Sequence, residues 1–560
     1  MNKLLSALIL LTYTALQADV ILPKIIDNNM VLQRGVEAPI WGWADQGEEV
    51  TVNFAGQTKK IMPDKKGKWM ITLDPLKASL VNRDLTIQGK NKIVLKDVLV
   101  GEVWLASGQS NMEWDFMRVD KAEREYAMKH ANNKFVRAFH VNTHITSGFP
   151  LDDTVGLWKT SNDMVGEKAI KLGLQKGISA VAFCFALKLQ QELGVPVAFI
   201  DSNWGGRRIE SFIPDEGYEA LGLKYRKSGE LEANEVKDKI EKKLSSLIVI
   251  LEDVKQGKEI DGKVLWSMGI RLRKGQKVNA QAIEKRIAEL QNDLSLALEA
   301  AKKGIVIPVN LHGFLGIAEN DIYNAMIAPL TPFAIKGAIW YQGESNRTSK
   351  DYFQKLQALS KGWSKVFNVK DIPLHLVQIA PFDYGRNRKT NTPGALNTTL
   401  SDNVWAAQYK GAKEITGMTV VPIHDTNIPI NNIHPPHKLP VGNRLALRAL
   451  KAQYGKDIVA SGPEFAKAAK RGNQIIVSFN DIDQGLSTQD GKVPSHFEVS
   501  EDGKTFVSAE AKIEGNTVVV SSSEVPSPKL VRMGWYETSI PNLQDKNGWP
   551  VFAFPSQEAK

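Results

Sequence analysis

Residues 103–114 read VWLASGQSNMEW, and the interpretation of the whole chain starts from this stretch. The apolar run that begins at residue 98 predicts a buried strand ending near Ser107. The small polar residues that follow favour a tight turn between a strand and a helix. A serine on such a turn, Ser110, can project its hydroxyl outward while its backbone N–H faces the space above the strand. That geometry suits a nucleophile and an oxyanion, although a polar turn without chemistry has the same pattern.

Met112 stands where the second glycine of a Gly-x-Ser-x-Gly motif would be. This difference argues against the ordinary nucleophile elbow of the α/β-hydrolases.

The totals describe an ordinary globular protein of several domains. The chain has 560 residues, of which 43% are apolar and 24% charged. The net charge of +9 is a modest excess for this length and could help to attract an acidic polymer. No run of Lys and Arg is interleaved with aromatic residues, so we expect no nucleic-acid partner.

Residues 1–18 have the layout of a secretory signal peptide. Lys3 precedes the apolar run LLSALILL, and Ala18 is the expected cleavage point. The run is too short for a transmembrane helix, so we expect a secreted or periplasmic protein that is not inserted in a membrane after cleavage. Cys184 is the only cysteine, and an intramolecular disulfide is therefore excluded.

The remaining chain divides by pattern into β, α/β and helical regions. Short alternating strands predict an N-terminal β-sandwich over residues 19–97 and a second β-sandwich over residues 456–560. Strands alternate with helices in residues 98–215 and 306–455, as a parallel sheet requires. Residues 216–305 are rich in Lys and Glu and carry two apolar stripes at helical spacing. They predict a helical insertion.

Polar loops follow three of the predicted strands. Ser110 follows the first, NWGG at 203–206 follows the second, and QGESN at 342–346 follows the third. A late loop adds His434, and an early serine with a late histidine fits a nucleophile and its base. Functional loops gather at the carboxyl edge of an open α/β sheet, so these segments are expected to meet.

Several ordered motifs over most of the chain resemble the sialate O-acetylesterase family of SGNH-type carbohydrate esterases. The helical insertion lies outside the resemblance. The motifs are NMVLQR at 29–34, WGWA at 41–44, GEVWLASGQSNMEW at 101–114, NWGGRRIESF at 203–212, NAMIAPL at 324–330, GAIWYQGESN at 337–346, IHPPHKLPVGNRLAL at 433–447 and VRMGW at 531–535.

The resemblance implies an SGNH-hydrolase-like three-layer α/β domain with a parallel sheet. It makes Ser110 the nucleophile and His434 the general base. The oxyanion hole is implied to be lined by backbone N–H groups and one side-chain amide. The groups concerned are the N–H of Ser110, the N–H of Gly205 or Gly206, and the amide of Gln342 as first choice or Asn346 as second.

One position departs from the family pattern. An aspartate is expected two or three residues before His434, where this chain has Asn431 and Asn432. An asparagine can orient an imidazole but cannot stabilise the imidazolium as a carboxylate does. Either the enzyme uses a Ser-His dyad or another carboxylate backs the histidine. Glu344 is the leading choice, with a loop-bracing role as its alternative, and Asp425 is the second choice; a catalytically defective homologue is the third explanation.

Other residues near these motifs allow two interpretations. Trp204 and Trp340 could stack on sugar rings or simply pack in the core. Arg207 and Arg208 could bind the carboxylate of an acidic sugar or serve the structure. His437 and His434 flank a Pro-Pro pair without a third matched ligand, so neither metal nor another cofactor is expected.

The sequence therefore predicts a secreted serine esterase that removes O-acetyl groups from sialate, xylan or another acetylated glycan. Its partner is an acetylated oligo- or polysaccharide. A glycan-binding homologue with little or no activity is the first competing hypothesis. A lipase or thioesterase is the second, but no long apolar acyl pocket or lid is evident in the sequence.

Overall fold

The computed structural model describes residues 19–141, 144–173, 177–225, 233–261, 264–265, 268, 270, 278–302, 319–387, 390, 392–426 and 430–560. The predicted signal peptide at residues 1–18 lies outside the described residues.

The strands are β1 Val31–Gln33, β2 Ala38–Trp43, β3 Val50–Phe54, β4 Gln57–Ile61, β5 Lys68–Leu73, β6 Ser79–Gln88, β7 Lys92–Gly108, β8 Val136–Val141, β9 Gly156–Thr160, β10 Val197–Asn203, β11 Gly337–Tyr341, β12 Leu374–Val377, β13 Met418–Val421, β14 Glu464–Arg471, β15 Gln474–Asn480, β16 Leu486–Thr488, β17 Phe497–Ser500, β18 Val507–Ser508, β19 Glu510–Glu514, β20 Thr517–Ser521, β21 Leu530–Met533, β22 Leu543–Asp545 and β23 Phe554–Glu558.

The α-helices are α1 Ser110–Glu113, α2 Lys121–Met128, α3 Ser161–Val165, α4 Glu167–Leu172, α5 Ala180–Leu193, α6 Asp215–Glu219, α7 Ala233–Lys255, α8 Ala280–Lys302, α9 Tyr352–Val366, α10 Ala406–Glu414 and α11 Leu439–Tyr454. Short 3₁₀ turns cover Ile209–Phe212, Ala328–Leu330, Glu344–Asn346 and His424–Thr426, and π-helical turns cover Tyr323–Ile327 and Ser401–Trp405.

The fold is mixed α/β with a central, mostly parallel sheet and additional β-sheets. The central order is β13-β12-β11-β7-β10-β8-β9, and only β9 in this order is antiparallel to its neighbour. Because parallel strands share one direction, the loops after β7, β10 and β11 meet at one edge. The sequence-predicted parallel sheet is confirmed.

Helices cover both faces of this sheet. Trp104 of β7 contacts Phe185 of α5, with ring centroids 5.2 Å apart, and Trp340 of β11 contacts Trp363 of α9 at 5.6 Å. Trp104 pairs with Gly337, which is three residues before Trp340. Side chains alternate along a strand, so the two tryptophans point to opposite faces.

The central strand β7 is longer than predicted and belongs to two sheet regions. Its first half pairs with β6 and β1, and its second half pairs with β10 and β11. The predicted domain boundary between residues 97 and 98 falls inside this strand. The apolar residues of the N-terminal β region also share one hydrophobic core with the central sheet, so the boundary does not separate two cores.

The structure confirms α5, the helix that the sequence predicts over residues 179–193 from apolar residues four apart at Val181, Phe185, Leu189 and Leu193. Ser179 is its N-cap, and the hydroxyl accepts a hydrogen bond from the backbone N–H of Ala182. Gly194 ends the helix in the left-handed conformation with φ +65°. The apolar spacing and the glycine after the last turn are the signals that predict this helix, and the structure adds the serine N-cap.

The predicted helical insertion contains two long helices, α7 and α8, that pack together around their own small core. Lys255 at the end of α7 forms an ion pair with Glu284 near the start of α8, 2.9 Å apart, so the helices are antiparallel. The apolar stripes supply that core through Ile240, Leu247, Ile283 and Leu290. Parts of residues 216–305 lie outside the described residues.

The C-terminal strands form two four-stranded sheets and the short β16–β22 pair. They enclose a second hydrophobic core. No helix in the described part of the chain is long and apolar enough to cross a membrane.

Candidate active site

The loops after β7, β10 and β11 meet through backbone hydrogen bonds. Gln109 donates its N–H to the Tyr341 carbonyl, and Trp204 donates to the Gly108 carbonyl, both at 3.0 Å. Gly108 has φ +139°, and a Cβ there would lie 2.3 Å from the Tyr341 carbonyl oxygen. Only glycine allows this approach, which sets Ser110 at the start of α1.

The structure brings Ser110 and His434 together across 324 residues of sequence. The Ser110 hydroxyl is 2.8 Å from Nε2 of His434. The imidazole stacks on Trp114 at a centroid distance of 4.3 Å, and the His434 backbone N–H donates to Oδ1 of Asn432 at 3.0 Å. This geometry allows the imidazole to accept the serine proton.

The environment of His434 opposes its protonation. Burial, together with the positive charges of Lys438 and Arg118, lowers the pKa of His434 to about 4. A neutral imidazole is the form that acts as a general base, so the residue is ready for this role at neutral pH.

The predicted pairing of Glu344 with His434 is corrected. Glu344 is buried, and its Oε1 accepts a hydrogen bond from Nδ2 of Asn111 at 2.5 Å. Its Oε2 has no hydrogen-bond partner within the described chain. Burial raises the pKa of this carboxyl. The reason is positional, because the 3₁₀ turn that carries Glu344 points it at α1 rather than at the histidine ring.

Asp425, the second choice, does not back the histidine either. Its carboxylate forms a bidentate ion pair with Arg444, at 2.7 and 2.6 Å. Burial opposes the charge, but the hydrogen bonds from Arg444 outweigh it and keep the pKa of Asp425 below its ordinary value. Among the described residues no carboxylate is hydrogen-bonded to His434, which leaves a Ser-His dyad as the observed arrangement.

The backbone donors predicted for the oxyanion hole lie beside the nucleophile. A Cβ added to Gly205 would lie 3.2 Å from the Ser110 Cβ. The Gly205 N–H, however, donates to Oε2 of Glu113 at 2.6 Å. Gly206 is exposed and left-handed, with φ +72°. The sequence reasoning missed Glu113, although the residue lies within the serine motif.

The two side-chain amides predicted for the oxyanion hole donate hydrogen bonds to other protein groups. Nε2 of Gln342 donates to Gln109, to the Arg207 carbonyl and to Asn346. Nδ2 of Asn346 donates to Glu210 at 2.9 Å and to Ser349 at 3.1 Å. Both side chains are buried, and their polar contacts fix the loops after β10 and β11 to one another. The role of either amide in the oxyanion hole stays a prediction.

Two further residues connect the serine loop to the histidine loop. Asn111 donates from Nδ2 to the Ile433 carbonyl at 3.0 Å, and its Oδ1 accepts from Nζ of Lys438 at 2.6 Å. Both residues stand inside motifs that the sequence singled out. Their types alone gave no signal of these contacts, because an amide and a lysine are ordinary surface residues.

The structure shows the contacts of the tryptophan and arginine residues for which the sequence allowed two interpretations. Trp340 is fully buried in the core. Trp204 stacks with His144 at 4.6 Å, and the Arg207 guanidinium lies 3.9 Å from the centre of the Trp204 ring. Arg208 forms an ion pair with Glu210 at 2.9 Å, which supports its structural interpretation.

His437 lies 2.9 Å from a carboxylate oxygen of Asp120. Within the described residues there is no group of three or more His, Cys, Asp or Glu side chains that could hold a metal ion.

The chain is similar to known carbohydrate and sialate acetylesterases. The sequence model of a family described as carbohydrate esterase, sialic acid-specific acetylesterase, matches residues 273–450. The chain is 26% identical over 480 residues to sialate O-acetylesterase from Mus musculus, covering 78% of this chain and 74% of that protein. The Homo sapiens protein of the same name is 26% identical over 464 residues, covering 78% and 72%.

One solved structure resembles the whole molecule. A carbohydrate acetylesterase from Xanthomonas citri is 26% identical, with a TM-score of 0.71, covering 96% of this chain and 99% of that one. These findings confirm the resemblance predicted from the motifs and the prediction of a carboxylic ester hydrolase. The family match begins at residue 273, inside the predicted insertion, so the insertion is not wholly outside the resemblance.

Proposed function

Because the chain is similar to sialate O-acetylesterases in sequence and to a carbohydrate acetylesterase in fold, we propose that it removes O-acetyl groups from a glycan. The observation that carries the proposal is the Ser110–His434 contact of 2.8 Å at the carboxyl edge of the sheet. Sialate, xylan and other acetylated oligo- or polysaccharides are the substrate classes to be compared. No cofactor takes part in the proposed reaction.

In the proposed acylation, the Ser110 oxygen attacks the acetyl carbonyl carbon as its proton passes to Nε2 of His434. The tetrahedral intermediate then collapses, the bond between the acetyl carbon and the sugar oxygen breaks, and His434 returns the proton to that oxygen. The products of this half-reaction are the free sugar hydroxyl and acetyl-Ser110.

Deacylation repeats these steps with water as the nucleophile. His434 takes a proton from water as the water oxygen attacks the acetyl carbon. The bond to the serine oxygen breaks, the proton returns to Ser110, and acetate leaves. The dyad is therefore regenerated without net change.

The proposed oxyanion donors are the backbone N–H groups of Ser110 and Gly205, with Gly206 as the alternative to Gly205. Ser110 is the first residue of α1, where a backbone N–H has no partner inside the helix. Gly205 becomes available only when the Glu113 carboxylate leaves its N–H, since the two are hydrogen-bonded in the free enzyme. Binding of an acetyl ester therefore has to displace Glu113.

The proposal extends to fold class and location. The central parallel sheet with helices on both faces supports an SGNH-type catalytic domain made of residues 98–215 and 306–455. The layout of residues 1–18 supports secretion or export to the periplasm.

The test is acetate release from a panel of acetylated glycans and from p-nitrophenyl acetate by the wild-type protein and Ser110→Ala. We expect release that is lost in the variant. A folded wild-type protein that binds acetylated glycan but releases no acetate would instead support the hypothesis of a glycan-binding homologue. The observation that favours this alternative is that no carboxylate in the described chain is hydrogen-bonded to His434.

A further inference from the structure

A pair of opposite charges is buried beside the proposed dyad, and the reaction steps above do not use it. Lys438 is fully buried and Glu344 is 8% exposed. Burying an ammonium and a carboxylate is costly unless they are paired or hydrogen-bonded. Such a cost near a reactive centre points to a function for the two charges there.

Asn111 joins the two charges and lies next to the nucleophile in sequence. Its amide nitrogen donates to Glu344 at 2.5 Å and to the Ile433 carbonyl at 3.0 Å, while its amide oxygen accepts from Lys438 at 2.6 Å. Both loops of the dyad are therefore held by one side chain. The Ile433 carbonyl immediately precedes His434, so this contact fixes the start of the histidine backbone.

We propose that the Glu344–Asn111–Lys438 network is the positioning device of this enzyme. It takes over the orienting role, but not the imidazolium-stabilising role, of the carboxylate that its histidine lacks. The network holds the His434 loop against Ser110, and the Lys438 ammonium keeps the imidazole uncharged between turnovers. Glu344 and Lys438 are positioning residues, since neither touches the reacting atoms. The inference rests on the proposed function.

The charges around His434 support this assignment. Two cations, Lys438 and Arg118, act on the imidazole, and both lower its pKa in addition to burial. Arg118 is exposed and paired with Asp115 at 2.8 Å, whereas Lys438 is enclosed in the protein. Interactions with a buried charge are screened least by water and salt. Lys438 is therefore the cation whose removal should matter most.

The anions in this region act mainly on Lys438. Burial lowers the pKa of Lys438, and although Glu344 and Glu123 oppose that shift, the pKa is still lowered to about 7. Glu123 also accepts the backbone N–H groups of Lys438 and Leu439, at 2.8 and 3.0 Å. The two carboxylates therefore favour the ammonium form of Lys438, while no carboxylate is hydrogen-bonded to His434 in the described chain.

The experiment compares wild-type protein with Lys438→Met, Glu344→Gln and the double variant. The two readouts are the pH profile of kcat/KM on p-nitrophenyl acetate and the pKa of His434 from NMR titration of the labelled imidazole. We expect kcat to fall roughly 10- to 100-fold in each single variant with little change in KM, because the dyad loses its alignment.

The pH readouts should move in opposite directions. Removing the Lys438 cation favours the imidazolium. In Lys438→Met, the His434 pKa and the pH midpoint of the acid side of the kcat/KM profile should therefore both rise by about 0.5–1 unit. Removing the Glu344 anion should lower both in Glu344→Gln. The double variant has no uncompensated charge and should recover part of the lost kcat.

A matched control is the Arg532–Glu498 ion pair of β21 and β17, which is distant in sequence from the site. Its side chains are 13% and 15% exposed, and Nε and Oε2 are 2.8 Å apart. Its double variant, Arg532→Met with Glu498→Gln, should change stability without moving the His434 pKa. If Lys438→Met does not fold, Lys438→Gln gives the same comparison.

Unchanged His434 titration in folded Lys438 and Glu344 variants would overturn the positioning proposal. Because NMR titration needs no turnover, this outcome is distinct from failure of the proposed function, which would appear as absent acetate release by the wild-type protein.

Discussion

At the scale of single residues, the site couples a histidine that resists protonation to a serine. The pKa of His434 lies at about 4, below the ordinary value of 6.5, because of burial and the neighbouring cations. A base with a lowered pKa stays neutral in mildly acidic solution, at the cost of a smaller driving force for taking a proton.

The first prediction concerns the pH profile. As pH falls, activity should persist through 6.5 and decline only as His434 is protonated near pH 4, the value of its lowered pKa. The measurement is kcat/KM on p-nitrophenyl acetate between pH 3.5 and pH 8, with Ser110→Ala as the background. A half-maximal point at the unperturbed histidine value of about 6.5 would contradict it.

The lowered pKa of His434 also predicts how the free energy of unfolding depends on pH. Between the folded pKa of about 4 and the ordinary value of 6.5, the unfolded state binds more protons at His434 than the folded state does. This residue therefore makes the protein less stable as pH falls through that window. The effect should be reduced in His434→Asn, measured by denaturant unfolding at pH 7 and pH 4.5.

A third prediction concerns Glu113, whose carboxylate accepts the Gly205 N–H at 2.6 Å. Glu113→Ala frees that donor for the oxyanion, so kcat/KM should rise roughly 3- to 10-fold, a fraction of the effect of a full oxyanion donor. Product inhibition by acetate should strengthen, since acetate is an anion of the same kind. Glu125→Ala, on the exposed face of α2, is the control; a lower or unchanged kcat/KM in Glu113→Ala would refute the explanation.

At the scale of elements, the junction between β7 and β11 sets the position of the nucleophile. Gly108 is the last residue of β7, and its missing side chain lets the Tyr341 backbone approach. The neighbouring Gln109 then bonds across to β11 and places Ser110 at the start of α1. Strand pairing, rather than the serine loop itself, thus determines where the hydroxyl lies.

Gly108→Ala should therefore damage both stability and activity. The added Cβ meets the Tyr341 carbonyl oxygen at 2.3 Å, and φ is +139°. We expect a loss of roughly 2–4 kcal/mol in the free energy of unfolding, as for other overpacked positions with backbone strain. Gly194→Ala, with φ +65° and open space around it, is the control. It should cost only about 1 kcal/mol; equal losses in the two variants would show that the close approach is unimportant.

At the scale of the whole molecule, the helical insertion has a core separate from that of the catalytic region. The core of α7 and α8 shares no residue with the large core of the central sheet. In contrast, α6 belongs to the catalytic region, because Gly217 lies against α9, where a Cβ would meet the Ala358 carbonyl at 2.2 Å. The division predicted at residue 216 thus falls inside an element that packs on the main body.

Replacing residues 233–302 by a short Gly/Ser linker should leave the esterase on small substrates largely intact. The two hydrophobic cores share no residue, so removing the core of the insertion should not expose the core of the central sheet. The measurement is Ser110-dependent hydrolysis of p-nitrophenyl acetate by the shortened protein, with circular dichroism as the check on folding. Folded protein without activity would show that the insertion shapes the site.

The sequence by itself determined the elements and singled out the pair of residues proposed to react. Strand and helix periodicity and the Gly194 stop depend on neighbouring residues, so α5 and the parallel strands were predictable. Ser110 and His434 came from ordered motifs. Chemistry of this kind needs particular residue types, and sequence records those types.

Only the tertiary structure decided which polar groups meet. Glu344 was the leading and Asp425 the second candidate partner of His434 by position in the sequence, yet the structure pairs them with Asn111 and Arg444. A hydrogen bond depends on distances of about 3 Å and on direction, which side-chain rotamers and loop packing fix. Local sequence does not contain those distances. The hydrogen-bond partners of Gln342, Asn346, Glu113 and the buried Lys438 could therefore be identified only from the tertiary structure.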